Sequence, residues 1–171
     1  MNIVIEDTIK PETELEKEII KDVEFVNGAL WGKPRHGHPE GLVIYHVGEV
    51  LKNIDMYSKS PDDRIKLRFI ALIHDTFKYK VNRDKPKHGE NHHAMIARRF
   101  AEKYTTDTDL LDIIELHDEA YNAWRKNNTE RAKNLITRLG NSIDLYLAFY
   151  RCDNETGDKT SDNFKWFESL V

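Results

Sequence analysis

Six side chains set the chemical problem of this sequence: His46, His74, Asp75, His117 and Asp153, with one histidine of the His92-His93 pair as the sixth. All are cation-binding types, and their spacing from apolar neighbours places them on inward helix faces. A core holding that many unpaired polar groups is severely destabilised, because a buried charge must be paired or bound. A shared divalent cation removes the conflict. Imidazole together with carboxylate suits Mn, Fe, Co, Ni or Zn, whereas a carboxylate-rich shell favours Mg or Ca. Taken singly, each residue also has a plainer reading as a hydrogen-bonded core histidine or a capping aspartate.

The elements that must position these groups read as helices throughout. Leu15, Ile19, Val23, Val26 and Leu30 predict one amphipathic helix from Thr13 to Leu30. A loop follows, broken by Gly32, Pro34, Gly37 and Pro39, and carrying Trp31, Lys33, Arg35, His36 and His38. Leu42, His46, Val50 and Ile54 share one face of a helix ending near Tyr57. Ser60-Pro61-Asp62-Asp63 is a helix start, with a capping Ser, Pro at the first position and acids in the first turn. That helix is strongly apolar and runs into His74-Asp75.

Beyond Lys78, residues 79–91 read as a polar surface loop, and a fourth helix begins near Asn91 with Ile96, Ala97, Phe100 and Tyr104. Asp107 to Asp109 caps a fifth, whose face runs Leu110, Ile113, Ile114, His117 and Tyr121. A last long segment, from about Asn128 to Asp153 with a break at Gly140-Asn141, places Asp153 one turn after Phe149. Residues 161–171 form a short helix packed on the bundle, a homodimer contact being the alternative. No strand alternation or internal repeat is present. The expectation is an all-α single domain over 1–171, of about six or seven helices, with a core at about 41–155 and helical segments 12–30 and 161–171 packed on it.

The chain has 171 residues and a formal net charge of −4, with acids and bases interleaved. That argues against an extended nucleic-acid partner, which needs a basic face. A single cysteine, Cys152, excludes an intrachain disulfide framework and fits a reducing compartment. No apolar signal segment follows Met1 and no run is long enough for a bilayer, so the expected location is cytoplasmic.

The order His46, then His74-Asp75, then Asp153 resembles the H…HD…D signature of the HD superfamily of metal-dependent phosphohydrolases. Ile73-His74-Asp75-x-x-Lys78 is similar to that family's LHDxxK run, and residues 149–153 are similar to the helix delivering its last Asp. The resemblance implies that His46, His74, Asp75 and Asp153 bind one metal. In two-metal members further histidines contribute, here His117 with His92, and Asp75 bridges the ions. His88 and His93 also lie near the expected position; His92 is preferred because it stands at the helix start, four residues before Ile96. Asp118 reads as a surface residue or one lying behind the ligands. The implied reaction is hydrolysis of a phosphate ester or anhydride by a metal-activated water, with Asp75 and Lys78 in catalytic roles. Lys78 would also contact a phosphate oxygen, with Lys33 and Arg35 as further cationic contacts and Trp31 available to stack on a base.

Thr76-Phe77-Lys78-Tyr79 stands where guanosine tetraphosphate hydrolases carry a Glu-Asp pair, and the Gly-Tyr-Pro of cyclic-di-GMP phosphodiesterases is missing. The chain is more similar to small members acting on nucleoside monophosphates or dinucleoside polyphosphates. Two rival readings stay open: a di-iron oxygenase of the inositol-oxygenase type, and a non-catalytic module binding metal or nucleotide.

Overall fold

In a computed structural model that describes residues 4–36 and 38–171, helices α1 (Ile5–Ile9), α2 (Glu14–Ile19) and α3 (Val23–Ala29) precede α4 (Val43–Tyr57) and α5 (Pro61–Ile73). They are followed by α6 (His93–Ala101), α7 (Thr108–Leu116), α8 (Glu119–Arg125), α9 (Thr129–Leu139), α10 (Ile143–Asn154) and α11 (Asp162–Glu168). The class is all-α, with no strand among the described residues. Gly37, part of the loop break read from the sequence, and Met1 lie outside them.

The helix starts are set by side-chain caps. Ser60 accepts the Asp63 amide at 3.1 Å ahead of Pro61, Asp107 accepts the amides of Asp109 and Leu110, and Asn128 accepts that of Arg131. The same chemistry explains why there are more helices than six or seven. Asp22 is a second cap, accepting the Glu24 amide at 2.8 Å, and it splits the expected helix 13–30 into α2 and α3. The expected fifth helix ends at Leu116 for a different reason, and α8 begins after Asp118, whose side chain caps nothing.

At the centre α4, α5 and α10 pack on one another, and α6 and α7 pack together beside α5. Their inner faces, including Val47, Val50, Ile54, Leu67, Ile70, Leu72 and Phe149, are almost wholly buried. The amino-terminal helices are fastened by a buried arginine: Arg68 Nε and Nη2 donate to both Glu16 carboxylate oxygens at 2.8 and 2.9 Å, and Nη2 lies 3.2 Å from the carbonyls of Ile9 and Lys10. Removing Arg68 alone would strand the buried Glu16 carboxylate, at a cost of about 3–5 kcal/mol.

The loop before α4 closes on itself. Gly32 pairs with Leu42 and Arg35 with His38, and Val43 donates to the Trp31 carbonyl at 2.9 Å. Gly32 has φ +126 and a side chain there would run into the Gly41 carbonyl, so the closure requires glycine. It brings Glu40 against the first turns of α4.

Candidate metal centre

Six chain segments end at, or pass, one point in the bundle. α5 delivers the dyad: His74 caps it, wholly buried, and its Nδ1–H donates to the Ala71 carbonyl at 3.0 Å. A carbonyl can only accept, so the proton sits on Nδ1 and the Nε2 lone pair faces away from the helix. His117, at the end of α7, repeats the device, with Nδ1–H donating to the Ile114 carbonyl at 2.8 Å. The turn after the dyad is held by Thr76, whose hydroxyl donates to the Leu72 carbonyl at 2.5 Å.

Two groups of donors face one another across Asp75. In the first, His46 Nε2 lies 3.2 Å from His74 Nε2 and 3.1 Å from Asp153 Oδ1, while Asp75 Oδ2 is 3.7 Å and 3.8 Å from the two imidazoles. In the second, His93 Nε2 lies 3.3 Å from His117 Nε2, and Asp75 Oδ1 is 3.5 Å and 3.4 Å from these nitrogens. Asp118 completes it, 3.2 Å from His93 and 3.6 Å from His117. Ligand atoms about 2.1 Å from one tetrahedral ion stand roughly 3.4 Å apart, the scale of these separations. Each group offers two imidazoles and two carboxylates, with one carboxylate shared.

The break between α7 and α8 is what aims His117 and Asp118 together. The buried Tyr146 hydroxyl donates to the Leu116 carbonyl at 3.1 Å, with the His117 carbonyl at 3.2 Å, and accepts the Ala120 amide at 3.3 Å. One phenol thus serves the end of α7 and the start of α8.

The electrostatics suit a cation. Burial pushes the Asp75 and Asp153 carboxyls up, but Lys78 acts on the first and Lys159 and His46 on the second, and both end well below the usual carboxylate range. Burial holds His74 down at about 3, a neutral imidazole. It also pushes His117 down, yet Asp118 and Asp75 outweigh it and raise that group to about 9. Among the described residues the buried side-chain atoms without a hydrogen-bond partner are Asp75 Oδ1, His46 Nδ1 and Glu40 Oε2, all at this centre. An orphaned oxygen on an ionised, buried aspartate, facing two imidazoles, is the observation that the donor set fits a bound divalent ion.

A cleft of about 410 Å³ opens on these groups. Asp75, His117, Asp118 and Asp153 line it with two lysines, and Tyr121 and Trp124 stand on its wall. Lys78 pairs with Asp75 Oδ2, and Lys159 Nζ reaches Asp153 Oδ1 at 3.1 Å.

The residues singled out in the sequence fall as follows. His46, His74, Asp75, His117 and Asp153 converge, and Lys78 borders them. His92 caps α6, its Nδ1 accepting the Ala94 amide at 3.3 Å. It groups with His93 and Asp118, but the side chain against Asp75 and His117 is His93. Lys33 and Arg35 are exposed on the closing loop and line neither this cleft nor the hollow beside it, whereas Trp31 lines the latter. Lys159 was not visible beforehand, lying in a loop without periodicity; Asp118 was visible only as the second half of a His-Asp pair.

An all-α bundle with a buried His/Asp centre at its helix ends defines a class of metal-binding helical domain. Residues 43–144 match the HD domain family, and the chain belongs to it. HD domains bind divalent metals and are commonly metal-dependent hydrolases. The matched span holds every donor named above except Asp153. Neither the curated proteins nor the solved structures gave a match. No helix among the described residues is long and apolar enough to cross a membrane.

Proposed function

We propose that this protein is a metal-dependent phosphohydrolase acting on a phosphate ester or anhydride of a nucleotide-like substrate. The observation that carries this reading is the pairing of the donor cluster with two lysines on the cleft wall, Lys78 beside Asp75 and Lys159 beside Asp153. His46, His74, Asp75 and Asp153 would hold one ion, and His93, His117, Asp118 and the other Asp75 oxygen a second. A divalent cation there supplies Lewis acidity and lowers the pKa of a water within its reach. The protein's own contribution is to place and neutralise charge. Once a cation competes for the carboxylate oxygens, both ammonium groups are available to a phosphoryl oxygen. Tyr121 and Trp124, with ring centroids 5.8 Å apart and planes tilted by 37°, offer aromatic faces on which a base could stack.

Two ammonium groups beside the donors match the charge of a phosphoryl group, whereas an oxygenase of the inositol-oxygenase type takes an uncharged polyol. An open cleft serves a nucleotide-binding module as well as an enzyme, so turnover is what separates those two readings.

The test is elemental analysis of the purified protein followed by phosphate release from nucleoside monophosphates, cyclic nucleotides and dinucleoside polyphosphates after loading with Mn, Co, Ni or Mg. Metal-dependent release that disappears in Asp75→Ala is the expected result. Bound metal with no release from any substrate, and oxygen uptake with a polyol, would replace this reading with the oxygenase.

A further inference from the structure

Beside the cleft lies a second hollow of about 430 Å³, lined by Trp31, Lys78, Val81, Arg83, Lys87 and the His92-His93 pair. It meets the cleft at Lys78, which lines both, and at His93, whose Nε2 is 3.5 Å from Asp75 Oδ1 and 3.2 Å from Asp118 Oδ2. Both hollows therefore open on one donor cluster.

Their linings differ in charge. The cleft contains the carboxylates; the second hollow has three cations and no carboxylate. Neighbouring Lys80 and Lys103 are held by Glu24, and Lys78 by Asp75. Among the described residues Arg83 and Lys87 have no acidic partner within 4.0 Å. Arg83 and Lys87, two unpaired cations around one concavity, repel each other, and an anion entering it relieves that repulsion.

The loop presenting them is built. The Asn91 amide donates to the carbonyls of Asn82 (3.0 Å) and Pro86 (2.9 Å), with that of Lys85 at 3.4 Å, and its oxygen accepts the Asn82 amide at 2.9 Å. One side chain thus ties down residues 82, 85 and 86, which flank Arg83 and adjoin Lys87. Trp31, on the lining of the same hollow, is half-buried against the core, an anchored indole. Guanidinium and ammonium suit phosphate oxygens, and a fixed indole suits the face of a base.

Resting on the phosphohydrolase reading above, we infer that this hollow is a second substrate subsite taking a second phosphorylated arm. The scissile phosphorus then carries a group on each side, as in a phosphodiester or phosphoanhydride joining two nucleosides, rather than being the end of a monophosphate ester.

The test reads binding rather than turnover. The full chain, with Mn2+ in excess, is titrated calorimetrically with two probes that cannot be hydrolysed, the methylenephosphonate isostere of adenosine 5′-monophosphate and a diadenosine tetraphosphate with a methylene at each of its P–O–P bridges. In Arg83→Ala/Lys87→Ala the two-armed probe loses about 100-fold in affinity and the one-armed probe less than about 3-fold, taking roughly tenfold for each charged contact. Both positions are exposed, so the thermal midpoint should not move. Trp31→Leu should weaken the two-armed probe selectively as well. Equal losses for both probes would reduce Arg83 and Lys87 to general attraction of anions, and no loss, or no binding of the two-armed probe, would overturn the subsite. Selective binding without turnover of any substrate would leave the subsite standing and remove the hydrolase; turnover of monophosphates with equal binding of both probes would do the reverse.

Discussion

Glu40 Oε1 lies 3.6 Å from His46 Nδ1, behind the face on which His46 meets His74 and Asp153. The same oxygen accepts from His38 Nδ1 at 2.9 Å, and the carboxylate is almost fully buried. At 3.6 Å the pair is an ion-pair contact rather than a hydrogen bond. It nevertheless sets a carboxylate beside Nδ1, and an imidazole that offers Nε2 to a metal must carry its proton there.

Glu40→Ala should therefore lower the affinity of the His46 site for a divalent ion by about 10- to 100-fold, the range for losing a carboxylate behind a ligating histidine. Glu40→Gln, which keeps an acceptor at that point, should recover most of it. Competition against a chromogenic chelator measures both. Wild-type affinity in Glu40→Ala would leave Glu40 with only the His38 contact to maintain.

The second group turns on one choice of neighbour. His93→Ala removes the imidazole facing Asp75 and His117 and should reduce bound metal from two ions to one by elemental analysis. His92→Ala removes a helix cap and should cost about 1 kcal/mol of stability with both ions retained. If His92→Ala loses the ion and His93→Ala keeps it, the assignment of the second site to His93 fails.

Tyr146→Phe keeps the ring and deletes the hydroxyl that joins the ends of α7 and α8. The Ala120 amide and the Leu116 carbonyl are then left unsatisfied in a buried place, costing about 1–3 kcal/mol. His117 and Asp118 sit on that joint, so the second ion should be weakened more than the first. Equal loss of both would mean that the hydroxyl serves the bundle as a whole.

How far the centre could be read beforehand depended on helical phase. His46, His117 and Asp153 lie within helices or at their ends, so apolar neighbours at i±3 and i±4 fixed the direction of each. His92 and His93 straddle a helix start, where one residue of cap decides everything. His92 takes extended backbone, φ −83 and ψ 135, so the helix and its facing begin one residue later. Asp118 lies in the α7–α8 break, which depends on a tyrosine 28 positions further on. Arg83, Lys87 and Lys159 lie on loops, whose shape is set by contacts such as those of Asn91 and leaves no period in the sequence. The Glu16–Arg68 pair spans 52 residues and was equally invisible, although the all-α class itself followed from caps and apolar spacing.

The close packing of α3 on the dyad offers the last test. Gly28 is a buried residue inside α3, and a side-chain carbon built there would fall on the backbone carbonyl of Thr76, well inside van der Waals contact. In an isolated helix alanine is favoured over glycine by about 1 kcal/mol. Here the obstacle is backbone, which cannot rotate aside, and overpacking of this kind costs about 1–3 kcal/mol or more. The collision should win, because Thr76 is anchored by its own hydroxyl to Leu72 and adjoins Asp75. Gly28→Ala should lower the thermal midpoint by about 5 °C for a net loss near 2 kcal/mol in a chain of this length. It should also weaken both ions together, since the displaced peptide follows the carboxylate they would share. A raised midpoint, the usual outcome at an uncrowded helical glycine, would show that α3 and the dyad turn can separate without disturbing the centre.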